Sequence, residues 1–336
     1  MLVVANLDVG PPAWSPPPQA LAELRDSFPQ VEFHWNQQRR DYFRRVAEAD
    51  VIWGWQLTRD IYRLAARLRW FHSCAAGVAS SVLPELASSQ VVLTNSSSVN
   101  APVVVEHLLG LLLSLFRRLA KLTENQRQHY WGRSEYWDHW EKLRDLCGMT
   151  VGVFGYGAIG SRLCSALSAL GSRLLVYRRS GEPAEYGAET FTGSGLATML
   201  PQCSLVVNAL PATSETRGFF DADKFRLMQR GAVYASIGRG STTDEAALAR
   251  ALGYNGRTGL WEDEGWLAGA VLDVFAQEPL PADSPLWKAP QVVISPHVAA
   301  VSPNFWRRQT ALFARNLRHF LNGEALEEVV DPVAGY

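Results

Sequence analysis

Gly155, Gly157 and Gly160 lie between an apolar run, Val151 to Phe154, and a helical stretch that leads to a second apolar run ending at Tyr177. Glycines at this spacing are common, but strand, turn, helix and strand around them narrow the fold sharply. Gly155 allows the tight turn, Gly157 lets the backbone approach a pyrophosphate, and Gly160 lets helix and strand pack closely. The helix opens on free N–H groups, at Ala158 and Ile159, with the positive end of its dipole aimed at the phosphates. The stretch from Met149 to Gly181 therefore reads as the phosphate-binding turn of a dinucleotide-binding sheet.

The second run is followed by Arg178, Arg179 and Ser180, with no carboxylate before Glu182. A dinucleotide without a 2′-phosphate is usually held here by an Asp or Glu on the ribose hydroxyls. A carboxylate would repel a 2′-phosphate, whereas a guanidinium binds one through paired, charge-assisted hydrogen bonds. The expectation is NADP(H) in preference to NAD(H); the alternative is that both arginines are merely solvated at a strand end.

The chain has 336 residues, enough for two domains with substantial cores. A net charge of −1 and a pI near 6.7 give no footprint for nucleic acid or an anionic membrane. Cys74, Cys147, Cys164 and Cys203 are scattered, with no metal-ligand spacing, as expected of small buried residues in a reducing compartment. The first residues carry no basic region of a signal peptide. The apolar run Leu108 to Phe116 is far shorter than the roughly 18 residues of a membrane span. A buried crossover helix and a cytoplasmic protein are expected.

Strands are expected at Leu2–Asn6, Val31–Trp35, Val51–Trp53, Trp70–His72 and Val91–Thr94, with helices at Gln19–Ser27, Asp41–Glu48 and Asp60–Leu68 between them. Pro11 to Pro18 is a loop. A helix from about Ala101 to Leu119 leads into a tryptophan-rich segment, where Trp131, Trp137 and Trp140 suit either a cleft or subunit contact or ordinary core packing. Beyond Gly181, strands fall at Leu205–Asn208, Val233–Ser236, Ala270–Val274 and Val292–Ser295, with helices at Asp244–Leu252 and Pro303–Leu321. Such alternation predicts an α/β protein of parallel sheets covered by helices. Gly253 to Gly265, with four glycines, reads as a surface loop.

Ligands of open parallel sheets sit beyond the carboxyl ends of strands. The residues placed there are Pro211, Arg239, Asp273, Glu278 and His297. Reduction of a 2-oxo acid leaves an alkoxide that must gain a proton, and the substrate carboxylate needs a cation. Histidine suits the acid, a neighbouring glutamate would stabilise and orient its imidazolium, and arginine's planar fork suits the carboxylate. Each residue alone has an ordinary structural explanation; the three together, behind a dinucleotide turn, favour chemistry.

In order and approximate spacing, Gly155–Gly160, Ile237 to Gly240, Leu272 to Pro281 and Ser295 to His297 resemble the signatures of the D-isomer-specific 2-hydroxyacid dehydrogenases. The resemblance runs from about residue 70 to residue 320. It implies that Arg239 binds the substrate carboxylate and carbonyl, His297 is the acid/base, Glu278 tunes it, and Asp273 holds the nicotinamide carboxamide. It also implies cofactor contacts at Pro211, Thr216 and Ile237, and substrate contacts at Ala76, Gly77 and Asn100. It implies two Rossmann-like or flavodoxin-like domains with a cleft between them: a nucleotide domain at 100–299 inserted into a substrate domain of 1–99 and 300–336. Relatives form homodimers through the nucleotide domain, and the Trp-rich segment is the candidate contact.

The sequence departs from the family at Ser236, often Asn; at Ala75 and Ala76, where Gly-Val is commoner; and in the extra Gly253–Gly265 stretch. An NADPH-dependent reductase of glyoxylate, hydroxypyruvate or a similar 2-oxo acid is the leading expectation. The alternatives are a dinucleotide-sensing corepressor, whose tryptophan three residues after the histidine is Ala300 here, and an NAD-dependent 3-phosphoglycerate-type dehydrogenase. Formate dehydrogenase pairs its histidine with Gln, which Glu278 disfavours.

Overall fold

Short apolar runs separated by helices build two parallel sheets in the computed structural model, which describes every residue except 8–9, 36–38, 263–264 and 336, and the side chains of 39–40. The chain divides into two units, Met1–Ala101 with Ala300–Tyr336, and Pro102–Ala299.

In the first unit, β1 (Leu2–Asn6), β2 (Glu32–Trp35), β3 (Val51–Gly54), β4 (Trp70–Ser73) and β5 (Val92–Thr94) pair in the order β2-β1-β3-β4-β5, all parallel. Alternate residues of a strand face opposite sides. Val3 and Ala5 thus join Trp53, Trp70 and Phe313 of the closing helix Phe305–Asn322, while Leu2 and Val4 join Val46, Ile52 and Phe71 on the other face. Both faces are covered, which is why these strands read as unbroken apolar runs. Trp53 stacks on Phe313 with ring centroids 4.1 Å apart; burying a side chain of this size contributes about 1.5–3 kcal/mol.

The second unit contains β6 (Thr150–Phe154), β7 (Arg173–Tyr177), β8 (Glu189–Phe191), β9 (Leu205–Asn208), β10 (Val233–Ser236), a hairpin of β11 (Tyr254–Asn255) and β12 (Leu260–Trp261), β13 (Gly269–Leu272) and β14 (Val292–Ile294). Its seven-stranded parallel sheet has the order β14-β13-β10-β9-β6-β7-β8. The order in which successive strands are added reverses between β6 and β9, the switch point at which such sheets bind dinucleotides.

Several expected boundaries move. Pro12–Trp14 forms a 3₁₀ turn inside the proline-rich loop, and Pro18 already starts the first helix. The helix expected at Asp41–Glu48 spans Arg39–Val46, and the one expected to reach Leu68 stops at Leu64. The helix expected at 101–119 spans Ser97–Phe116; Arg118, in the left-handed region at φ +52°, separates it from Leu119–Arg127. That 20-residue helix is, by length and composition alone, apolar enough to cross a membrane, contrary to the short run read from the sequence. Leu108, Leu112 and Phe116 are nevertheless buried against protein. Gly253 to Gly265 holds the β11–β12 hairpin rather than an irregular loop, with residues 263–264 outside the described residues. Cys74, Cys164 and Cys203 are buried as expected, but Cys147, in the turn that precedes β6, is exposed.

Candidate active site

The phosphate-binding turn follows β6. Gly155 has φ +94°, and a Cβ there would lie 2.8 Å from the Ala209 carbonyl oxygen, so the loops after β6 and β9 touch at the switch point. A Cβ on Gly160 would overlap the Gly155 carbonyl, whereas one on Gly157 would meet open space. The helix Ala158–Ala169 starts at Gly157 without a side-chain cap. The N–H groups of Ala158 and Ile159 therefore lack intrahelical acceptors, and this open, uncapped end fits a pyrophosphate.

Arg178 follows β7 with its guanidinium 5.4 Å from the Tyr156 ring centroid. Glu182 folds back onto it: Arg178 Nη2 donates to Glu182 Oε2 at 2.9 Å and Nη1 to the Glu182 carbonyl at 3.3 Å. Ser180 Oγ donates to the same carboxylate at 3.3 Å, while Arg179 is exposed. A phosphate on Arg178 would compete with this carboxylate for the guanidinium.

The three residues expected to carry the chemistry follow strands of the same unit. His297 follows β14, and its Nδ1 lies 2.7 Å from Glu278 Oε2. Glu278 Oε1 accepts the Phe275 N–H at 3.0 Å, so both carboxylate oxygens are fixed. Hydrogen bonding at Nδ1 leaves His297 Nε2, on an exposed side chain, for a substrate. Arg239, after β10, donates from Nη1 to the Gly238 carbonyl at 2.6 Å. Its burial pulls the guanidinium pKa down, the Glu278 carboxylate pushes it back up, and the side chain stays charged.

His297 has φ +54°, a backbone conformation that costs a non-glycine residue on the order of 1–3 kcal/mol unless its surroundings hold it. Asp273, directly after β13 and 2% exposed, supplies the hold. Its Oδ1 accepts from Ser295 Oγ at 2.5 Å and the Val298 N–H at 3.1 Å, and its Oδ2 from the Ala299 N–H at 3.4 Å. Asp273, expected to hold a carboxamide, thus also secures the turn of His297.

The loops carrying Pro211, Thr216, Ile237 and Arg239 share a support that sequence reasoning missed. Thr216 Oγ1 donates to the Pro211 carbonyl at 2.6 Å, closing that turn. Buried Asn208 donates to Tyr234 Oη at 2.8 Å and Thr242 Oγ1 at 2.7 Å, and its Oδ1 accepts the Leu210 N–H at 3.1 Å. Its carbonyl accepts the N–H of Ile237 at 3.0 Å, and Thr242 Oγ1 in turn donates to the Arg239 carbonyl at 2.6 Å. Half-buried Glu245 accepts the Ala276 N–H at 2.5 Å, steadying the turn to Glu278; burial and the nearby carboxylates of Glu278 and Asp244 push its carboxyl up. Asn208 closes β9, Thr242 ends a 3₁₀ turn and Glu245 opens a helix, and each meets partners from other segments that no local pattern in the sequence reveals.

In the first unit, Ala76 and exposed Gly77 follow β4, and their N–H groups have no acceptor among the described residues. Asn100 is buried with its Oδ1 unpartnered among those residues. His72, fully buried with Nδ1 2.7 Å from Thr94 Oγ1, has its pKa pushed down to about 3 by burial and belongs to the packing of this unit. Trp131, Trp137 and Trp140 are 87, 61 and 72% exposed, which rules out core packing for them. No group of three or more metal-ligating side chains is present among the described residues.

A seven-stranded sheet with this order and an open glycine turn at its switch point defines a nicotinamide-dinucleotide-binding protein. The D-isomer specific 2-hydroxyacid dehydrogenase NAD-binding domain matches residues 109–299, and the chain belongs to that family of oxidoreductases. It is 30% identical over 301 residues to a glyoxylate reductase of Thermococcus kodakarensis, covering 87% of this chain and 86% of that protein. It is 29% identical over 323 residues to the D-3-phosphoglycerate dehydrogenase of Mycobacterium tuberculosis, covering 95% of this chain and 58% of that protein. The crystal structure of an NADPH-dependent glyoxylate/hydroxypyruvate reductase from Sinorhizobium meliloti, in complex with NADP and sulfate, superposes with a TM-score of 0.79 at 28% identity, covering 100% of this chain and 99% of that one.

Proposed function

We propose that this protein reduces a small 2-oxo acid, of the size of glyoxylate or hydroxypyruvate, to the D-2-hydroxy acid with NADPH. The observation that carries this reading is the His297–Glu278 pair, 2.7 Å apart, in the same unit as a charged, half-buried Arg239 and an open phosphate-binding turn. The reduced nicotinamide, when bound, supplies the hydride to the carbonyl carbon. Arg239 binds the substrate carboxylate and polarises the carbonyl, and His297 Nε2 delivers the proton that the resulting alkoxide requires. Glu278 accepts the Nδ1 hydrogen and so fixes the ring. Ala76, Gly77 and Asn100 are taken as substrate-binding positions because they offer unpartnered donors and an unpartnered acceptor.

Glu278→Gln keeps a hydrogen-bonding group at Nδ1 but removes the charge that favours imidazolium. Loss of that carboxylate therefore lowers kcat/KM for glyoxylate. Steady-state kinetics check this; a kcat/KM equal to that of the wild type would exclude the tuning role.

Assays of a panel of 2-oxo acids with NADPH and NADH in parallel test the reaction itself; no turnover with any acid would overturn the reading. For the cofactor, the Arg178→Ala, Arg179→Ala double variant raises KM for NADPH by about tenfold or more, the worth of one charge-assisted hydrogen bond, and leaves KM for NADH nearly unchanged. Glu182→Gln, which weakens the internal competitor for Arg178, lowers KM for NADPH. Equal effects of the double variant on the two cofactors would sink the preference.

A further inference from the structure

A second polar chain in the same unit ends at the turn of His297. His107, on the helix Ser97–Phe116, places Nε2 2.8 Å from Ser295 Oγ and 3.6 Å from Asp273 Oδ1. Ser295 Oγ in turn lies 2.5 Å from Asp273 Oδ1. The proton count fixes the direction. Asp273 accepts from Ser295 and from the Val298 and Ala299 amides, so it is the acceptor of the group. A hydroxyl has one proton, and that of Ser295 is committed to Asp273. The Ser295 oxygen can then only accept from His107, whose Nε2 must carry a hydrogen. The chain runs from His107 through Ser295 to Asp273 and stops on the amides of the two residues after His297.

We propose that His107 is a positioning residue for the reaction. Acting through Ser295 and Asp273, its Nε2–H holds the turn that keeps His297 at φ +54° and its imidazole on Glu278. This rests on the reading of His297 as the acid. It assigns His107 a role through its hydrogen-bond donor rather than through the volume it fills. The helix provides a fixed anchor for a segment 188 positions later in the chain.

The test uses the full chain and four variants: His107→Leu, which removes the donor; His107→Gln, which keeps an N–H near the Nε2 position; Ser295→Ala; and the His107→Leu, Ser295→Ala double variant. Amide hydrogen exchange at Val298 and Ala299, measured without cofactor or substrate, speeds up about tenfold or more in His107→Leu and Ser295→Ala and stays near wild type in His107→Gln. With glyoxylate and NADPH, kcat falls about tenfold to a hundredfold in His107→Leu, the scale expected of a misplaced catalytic group, while KM for NADPH changes little and His107→Gln recovers most of the rate. The double variant is no worse than the more damaging single one, because the chain acts as a unit.

Unchanged exchange in both single variants would overturn the clamp. Faster exchange at wild-type kcat, or a glutamine variant no better than leucine, would overturn the positioning role. His297→Ala run alongside separates the two claims: if it stays active, the acid assignment and the positioning role both fall, while exchange still reports on the clamp. Should His107→Leu fold poorly, Ser295→Ala alone decides the exchange result.

Discussion

His297→Ala is expected to lower kcat for 2-oxo acid reduction by about 10²–10⁴-fold, the range for loss of a positioned general acid, while NADPH still binds. The proton delivered to the alkoxide needs a donor whose other nitrogen is held, and His297 has this arrangement through Glu278. His72 and His107 do not replace it: His72 is held neutral by burial, and His107 Nε2 is engaged by Ser295. Cofactor affinity should survive because the Gly155–Gly160 turn and Arg178 involve neither His297 nor its hydrogen-bond partners. Quenching of protein fluorescence by NADPH measures binding and steady-state kinetics measure turnover. A variant that keeps more than about a tenth of the wild-type kcat would require a different acid. A variant that loses both binding and turnover would point to a damaged fold instead, and a thermal melt separates that case.

The parts of this fold that could be read from sequence are those set by burial on both faces of a sheet. Leu205–Asn208 and Val233–Ser236 are central strands with every residue buried, so the apolar run and the strand coincide. Glu189–Phe191 at the sheet edge is short, partly exposed and polar at one end, and left no such run. The candidate site residues could be singled out for a related reason: a parallel sheet gathers its ligands just past strand ends, so Arg239, Asp273 and His297 stood out by position. Their supports did not. Asn208 and Thr242 are polar residues whose partners come from other loops, and His107 meets Ser295 across most of the second unit's sequence. The pairing of Arg178 with Glu182 was hidden too, because it depends on how the segment after β7 turns back rather than on which residues it contains. Likewise, nothing around Arg118 marks a left-handed residue, so the helix break there could not be placed in advance.

Arg239→Ala is the second large effect, and it separates substrate recognition from proton transfer. Arg239 spends Nη1 on the Gly238 carbonyl, which aims the guanidinium and leaves its remaining donors for a carboxylate and a developing oxyanion. Loss of one oxyanion donor costs about 10²–10³-fold in kcat. Loss of a charge-assisted bond to the carboxylate adds about 1.5–3 kcal/mol, roughly another tenfold to a hundredfold in KM. A fall in kcat/KM for glyoxylate of about 10³–10⁵-fold is therefore expected. Arg239→Lys should fall in between, since it restores the charge but not the planar fork. An uncharged aldehyde of similar size provides the control. It has a carbonyl but no carboxylate, so Arg239→Ala should cost it only the oxyanion contribution, and the wild-type preference for the acid should shrink accordingly. If acid and aldehyde lost the same factor, Arg239 would act on the carbonyl alone and the carboxylate would have to be held by other donors.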